Sequence, residues 1–241
     1  MKIATISDVH IKESGDEAEA LLLKFLKHPL VQQCDYVALL GDIFDLMCGP
    51  HSIYLQQFQA VFDAIDDLQK SGVKIIYIEG NHDVHLKKLF RKKWKKDEVI
   101  LSQSHIVLSE DNCLYYLSHG DDHEVDNESY QKYKKIIFSA PLRFVANYLL
   151  PYRVLEFVGR KASQKSRKRG SQIFNEDLVR ERFRKGVEVN NPEADIIIGG
   201  HSHVKDSYTL KSGSVYLNNG YALREKVFIY VDNKDYQFVS L

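Results

Sequence analysis

Residues 74–83 read KIIYIEGNHD: a run of strand-like composition passes into a glycine and then a cluster of amide, imidazole and carboxylate. A short apolar run of this kind has the length of a buried strand, and the carboxyl end of such a strand is where an open α/β sheet presents side chains to a ligand. The arrangement recurs. Residues 2–7 lead into Asp8-Val9-His10 and residues 36–40 into Gly41-Asp42-Ile43-Phe44-Asp45. Residues 113–118 lead into His119-Gly120-Asp121, and residues 195–198 into Gly199-Gly200-His201-Ser202-His203. Five strands with polar tips can converge on one crevice.

Around these runs the pattern alternates. Residues 17–26 and 55–68 space apolar side chains three and four apart, as in Phe58, Val61, Phe62, Ile65 and Leu68, and Ser71-Gly72 closes the second helix. Strand alternating with helix implies an α/β layered fold. Beyond Gly199, residues 215–217, 227–231 and 237–241 form short alternating segments that read as antiparallel strands. Together they predict a two-sheet mixed β sandwich flanked by helices, one domain over residues 1–241, carrying a helical insertion or lid.

The chain of 241 residues can bury one sizeable core. Lys plus Arg and Asp plus Glu balance at 33 each, so no overall basic surplus points to nucleic acid and no such partner is expected. The charges are nevertheless segregated. Residues 130–170 hold 11 Lys or Arg against the single acid Glu156, interleaved with apolar side chains, and residues 87–96 hold seven bases around Trp94. Pro141 and Pro151 divide the first of these segments into short helices. A basic amphipathic insertion of this composition suits an anionic, apolar ligand or the surface of an anionic membrane. Three cysteines, Cys34, Cys48 and Cys113, form no C-x-x-C pair, which fits a reducing compartment. The opening MKIATISDVH lacks the composition of a signal peptide, and no run of about 18 apolar residues marks a membrane span. The expectation is a cytoplasmic protein, peripheral on the inner face of the cell membrane.

The polar tips offer carboxylates, imidazoles and one amide but no thiolate, a set suited to hard or borderline divalent ions such as Mn²⁺, Fe²⁺ or Zn²⁺. Residues two apart in extended chain point the same way, so Asp8 with His10, and His201 with His203, can each share a site. Asp8, His10, Asp42, Asn81, His119, His201 and His203 exceed what one ion needs. Two ions about 3.5–4 Å apart, sharing a carboxylate, would use them all and would form a clamp for in-line displacement at phosphorus. His28, His51, His85 and His105 read as turn or capping residues, and His123 as a loop residue beside the site.

The ordered series D-x-H, G-D-x-x-D, G-N-H-D, H-G-D and G-H-S-H, running from Asp8 to His203, resembles the calcineurin-like metallophosphoesterase family. The resemblance implies two divalent ions, Mn²⁺ foremost. Asp8, His10 and His203 would hold one, Asn81, His119 and His201 the other, and Asp42 would bridge both, with hydroxide between the ions as the nucleophile. His82 would protonate or stabilise the leaving oxygen, while Asp45 and Asp83 would orient imidazoles or loops from behind. The basic insertion after His119-Gly120-Asp121, with Ser129-Tyr130-Gln131, is similar to that of the UDP-2,3-diacylglucosamine pyrophosphatases of lipid A synthesis. This implies cleavage of a nucleotide-diphosphate lipid to UMP and lipid X. Asn81, His82, Arg160, Ser163, Arg167 and Lys168 would contact the substrate, and Phe138, Phe144, Leu149 and Phe157 would line an acyl site. His82 stands where that subgroup usually has Arg, and Ser202 and Val204-Lys205 depart from its last motif. A phosphodiesterase or phosphatase acting on another nucleotide, lipid diphosphate or phosphoprotein is the alternative reading. A metal-free interaction module is a remote one, since every ligand position is filled.

Overall fold

The computed structural model describes residues 1–95, 97–110, 112–155, 157 and 175–241. Numbered along the chain, its strands begin with β1 (Lys2–Ile6), β2 (Tyr36–Leu39), β3 (Met47–Cys48), β4 (Lys74–Ile78), β5 (Asp83–Val84) and β6 (Val99–Ser102). They continue with β7 (His105–Glu110), β8 (Cys113–Ser118), β9 (Ile196–Gly199), β10 (Lys205–Thr209), β11 (Val215–Asn219), β12 (Val227–Asp232) and β13 (Asp235–Ser240). The helices are α1 (Glu17–Leu26), α2 (Ile53–Gln57), α3 (Gln59–Lys70), α4 (Lys87–Lys93), α5 (Glu128–Ile137), α6 (Ala140–Tyr148), α7 (Glu176–Asn190) and α8 (Ala222–Glu225). All five apolar runs read from the sequence are strands.

One sheet has the order β13-β12-β1-β2-β4-β6, parallel from β1 to β6 and antiparallel at the β12 and β13 edge. The second has the order β10-β11-β9-β8-β7, with a parallel centre and an antiparallel strand at each edge. Alternation along the strands makes the sandwich. Ala38, Leu40, Ile76 and Ile78 form one cluster with Tyr115, Leu117, Ile196 and Ile198 of the other sheet. Their neighbours Val37, Leu39, Ile75 and Tyr77 point the opposite way, into a cluster with Leu22 and Phe25 of α1 and Phe62 and Ile65 of α3. Beyond the second sheet, Ile197 and Tyr216 pack with Val187 of α7. The result is a helix, sheet, sheet, helix stack. Each fully buried aliphatic side chain in it contributes on the order of 1.5–3 kcal/mol, which fixes the strand ends relative to one another.

Three details differ from the sequence pattern. The helix expected over 55–68 is broken at Phe58, whose backbone lies at φ −110°, ψ 34° while its ring packs 4.6 Å from that of Phe44. Strand β11, expected antiparallel, runs parallel to β9 and antiparallel only to β10. Its hairpin partner reads KDSYT, too polar to register as a strand, because it sits at the sheet edge. Strands β6 and β7 were also not legible; their partly exposed residues dilute the apolar signal.

The insertion leaves the second sheet after β8. Asn127 caps α5 through the Tyr130 N–H, and Ser139 caps α6, with Pro141 in its first turn where no N–H is needed. Ala146 of α6 packs on Cys48 and Val84 of the small parallel β3–β5 pair, with Phe138 against them. Arg160, Ser163, Arg167 and Lys168 lie outside the described residues. Among the described residues, no helix is long and apolar enough to cross a membrane.

Candidate metal centre

The tips of β1, β2, β4, β8 and β9 meet at one edge of the sandwich. An extended backbone is expected at Asp8–His10 and His201–His203, but Asp8 (φ 54°), His10 (55°), His201 (65°) and His203 (57°) are left-handed, as is Asp42 (52°). The pairs therefore converge through kinked rather than pleated chain. Such a residue costs on the order of 1 kcal/mol or more, and persists because the neighbouring backbone is pinned. The Asp8 N–H donates to the Gly41 carbonyl at 3.2 Å and the His10 N–H to the Asp42 carbonyl at 3.0 Å. The His201 N–H donates to the Asp8 carboxylate at 2.9 Å.

Two sets of side chains share Asp42. Asp8 Oδ1 lies 3.3 Å from His203 Nε2, which is 3.1 Å from His10 Nε2, and His10 Nε2 is 3.8 Å from Asp42 Oδ2. Asp8, His10, Asp42 and His203 each offer one atom within 4.8 Å of the others. On the opposite side, Asp42 Oδ1 is 3.7 Å from His119 Nε2, and Asp42, His119 and His201 form a second such group. Asn81 joins it, with Oδ1 3.2 Å from His119 Nε2. All the candidate ligands are thus brought together. No Cβ fits at Gly80, where it would run into the Asp42 carboxylate, or at Gly200, where it would meet Ser7 and the Asp8 carboxylate.

The donor set fits divalent cations. The Nδ1–H of His119 donates to the Leu40 carbonyl at 2.9 Å, which leaves the lone pair of Nε2 facing Asp42. Burial would raise the Asp8 carboxyl, but the hydrogen bond and charge of His203 hold it below the usual range. Burial is likewise outweighed at Asp42 by His82, His119 and His10, so that carboxyl is held far down. At His119 burial acts downward, yet Asp42, Asp121 and Asp8 push the imidazole up to about 9. A centre that draws positive charge this strongly accepts a divalent ion in place of a proton.

The remaining expected residues take distinct places. Asp83 is wholly buried and accepts from the N–H groups of Asp42 (3.1 Å), Ile43 (2.8 Å) and Gly80 (2.7 Å) and from Tyr77 Oη (2.6 Å). It therefore ties two ligand loops together rather than touching an imidazole. Asp45 faces His10 Nδ1 at 3.7 Å and His82 Nδ1 at 3.9 Å. His82 Nδ1–H donates to the Asp45 carbonyl at 2.8 Å, and its ring lies edge-on to His10, 4.9 Å between centroids. Burial opposes a charged His82, but Asp42 and the Asp45 carbonyl and carboxylate raise its pKa above the ordinary value. Phe138 packs inward at the β3–β5 pair, whereas Phe144, Leu149 and Phe157 are exposed. His123, in the loop after β8, is fully buried, against Asn190 of α7 at 3.3 Å, with Gly186 packed on its carbonyl.

Two residues not singled out as site residues complete the surroundings. Glu124 Oε2 lies 3.1 Å from His201 Nε2. The Tyr130 hydroxyl of α5 lies between Asp121 Oδ2 at 3.1 Å and Asn81 Oδ1 at 3.3 Å, sharing its one proton with these acceptors, and its ring lies 4.8 Å from that of His201. The only sequence signal for Glu124 is its position five residues after His119, in the loop that follows the fourth polar tip. Lys134 Nζ neutralises Asp121 at 2.8 Å, so Asp121 faces the insertion.

A β sandwich with polar strand tips gathered about one shared carboxylate defines a metal-dependent phosphoesterase. Residues 1–205 match the family model described as Calcineurin-like phosphoesterase, and the chain belongs to that family. A UDP-2,3-diacylglucosamine hydrolase of Neisseria meningitidis serogroup C / serotype 2a is 31% identical over 132 residues, 55% of this chain and 53% of that protein. That match spans about half the length of the relative. The UDP-2,3-diacylglucosamine hydrolase of Photorhabdus laumondii is 28% identical over 204 residues, covering 82% of this chain and 80% of its own. Among solved structures, an archaeal phosphodiesterase aligns over 100% of both chains with a TM-score of 0.52 at 14% identity, a likeness of fold.

Proposed function

We propose that this protein hydrolyses the pyrophosphate of a UDP-linked diacylated amino sugar, UDP-2,3-diacylglucosamine, to UMP and a lipid sugar phosphate. The observation that carries the reading is that Asp42 belongs to both ligand groups, so one carboxylate can bridge two ions. Asp8, His10 and His203 would complete one site, and Asn81, His119 and His201 the other, a mixed oxygen and imidazole set open to Mn²⁺, Fe²⁺ or Zn²⁺, of which Mn²⁺ is the one proposed from the family resemblance. When bound, such a pair supplies Lewis-acid stabilisation of phosphorus oxygens and activation of water. The protein's own part is positional. His82, anchored at Nδ1 by the Asp45 carbonyl, keeps Nε2 to carry a proton for the leaving oxygen.

The nucleotide-lipid substrate is supported by the named relatives and by the insertion. Its described helices expose Ile136, Phe144, Tyr148 and Leu149 beside Lys132, Lys135 and Arg143, a surface that suits acyl chains and an anionic bilayer. Arg160, Ser163, Arg167 and Lys168, in the most basic part of the insertion, are assigned to substrate contact.

The deciding experiment incubates Mn²⁺-loaded protein with UDP-2,3-diacylglucosamine and a panel of unacylated nucleotide diphosphates. UMP is expected from the lipid substrate, with activity lost in Asp42→Ala and on chelation. Replacing Arg160, Lys161, Arg167 and Lys168 with alanine should impair the lipid substrate and spare bis-p-nitrophenyl phosphate. Equal turnover of the unacylated compounds would overturn the lipid assignment, and metal-independent turnover the two-ion reading.

A further inference from the structure

A cavity of about 630 Å³ lies between α4 and α6, and none of the seven candidate metal ligands lines it. Its rim carries Lys87, Lys88, Arg91 and Arg143. No carboxylate pairs with any of these four among the described residues; Lys88 Nζ instead sits 3.4 Å over the ring of Tyr148. The one acid in the lining among the described residues, Glu79, is buried and already accepts from the N–H groups of His85 (2.9 Å) and Leu86 (2.7 Å) and from Gln103 Nε2 (2.8 Å). The field at the rim is therefore that of unneutralised cations, suited to a phosphate.

The floor supplies a second, independent observation. His85, only 3% exposed, donates through Nε2–H to the Ile137 carbonyl at 2.8 Å. This leaves Nδ1 as an acceptor, and burial together with Arg143 favours the neutral ring. Among the described residues, Nδ1 is buried without a partner, and so is Oδ1 of Asn147 in α6. His85 and Asn147 both line the cavity, and a ligand bearing hydrogen-bond donors would complete these two acceptors. Leu101 and Phe144 add apolar surface to the lining.

We propose that this cavity binds a phosphorylated, hydroxyl-bearing small molecule, of the sugar phosphate or nucleoside phosphate class. The phosphate meets Lys87, Lys88, Arg91 and Arg143, and hydroxyl or N–H groups of the ligand donate to His85 Nδ1 and Asn147 Oδ1. The site is separate from the metal ligands and needs no ion, and it shares Arg143, Phe144 and Tyr148 with the surface assigned above to lipid.

The test uses the full chain stripped of metal, so that the metal centre cannot hold phosphate through ions. Calorimetric titration with UMP, glucosamine 1-phosphate and inorganic phosphate should show one-to-one binding of at least one ester, tighter than phosphate alone. Arg91→Ala and Arg143→Ala should each weaken it about tenfold, the loss of one charge-assisted contact, while Asp42→Ala leaves it unchanged. Asn147→Leu should bring the ester down to the affinity of phosphate. Absence of binding by both esters overturns the proposal, as does binding that survives the Arg91 and Arg143 changes or disappears in Asp42→Ala. Circular dichroism of each variant separates a lost ligand from a lost fold.

Discussion

Glu124 Oε2 lies 3.1 Å from Nε2 of His201, whose ring belongs to the ligand group shared with Asp42 and His119. The second oxygen of Glu124 receives Arg182 of α7 at 3.1 Å and Asn127 at 2.9 Å. The helix that follows the insertion is thereby tied to the metal centre. Glu124→Ala should weaken divalent-ion binding at the Asp42, His119 and His201 group by about 10–100-fold, the usual effect of losing a partner behind a ligating imidazole. Titration of metal-stripped protein with Mn²⁺, followed by electron paramagnetic resonance, should then resolve one site retained and one weakened. Unchanged affinity at both would show that the ring needs no such support.

Asp83 joins the loops after β2 and β4 through four donors, and asparagine cannot accept from all of them while its own N–H₂ finds no acceptor there. Asp83→Asn should therefore lower stability by about 3 kcal/mol, read from urea unfolding, and reduce activity through Asp42 without any change at a ligand. A stable but inactive variant would assign Asp83 a direct chemical role instead.

His82→Ala should slow esters with poor leaving groups far more than activated aryl esters, since only the former need a proton in the transition state. A series of phosphodiesters of graded leaving-group pKa checks this through the slope of log kcat. A uniform loss would mean that His82 positions substrate and does not carry the proton.

Burial pushes the thiols of Cys34 and Cys48 up to about 12, helped by the charges of Asp35 and Glu79 respectively. A raised thiol pKa means less thiolate at neutral pH, lower by on the order of a thousandfold than for an unperturbed cysteine. Alkylation of both should be correspondingly slow in the native protein and should keep rising with pH beyond about 9, where a free thiol levels off. Mass spectrometry of iodoacetamide-treated protein measures this. Fast labelling of Cys48 alone would reveal that α6, which packs on it through Ala146, lifts away from the body.

The order of elements and the identity of the clustered side chains were determined by the sequence itself. Apolar runs such as 74–78 and 113–118 need only local composition to become strands, and a polar tip directly after a strand can only lie at its end. What sat beyond local pattern was everything set by neighbours distant in the chain. The edge strand Lys205–Thr209 is too polar to announce itself, and Phe58 breaks a helix for the sake of a ring contact with Phe44. The left-handed turns at Asp8, His10 and His201 are pinned by distant carbonyls and a carboxylate, and Glu124 reaches His201 only across 77 residues of chain. Composition and spacing name the chemistry of a site. Its geometry, and which buried nitrogen faces which oxygen, depends on long-range packing and hydrogen bonds that only the tertiary structure brings into contact.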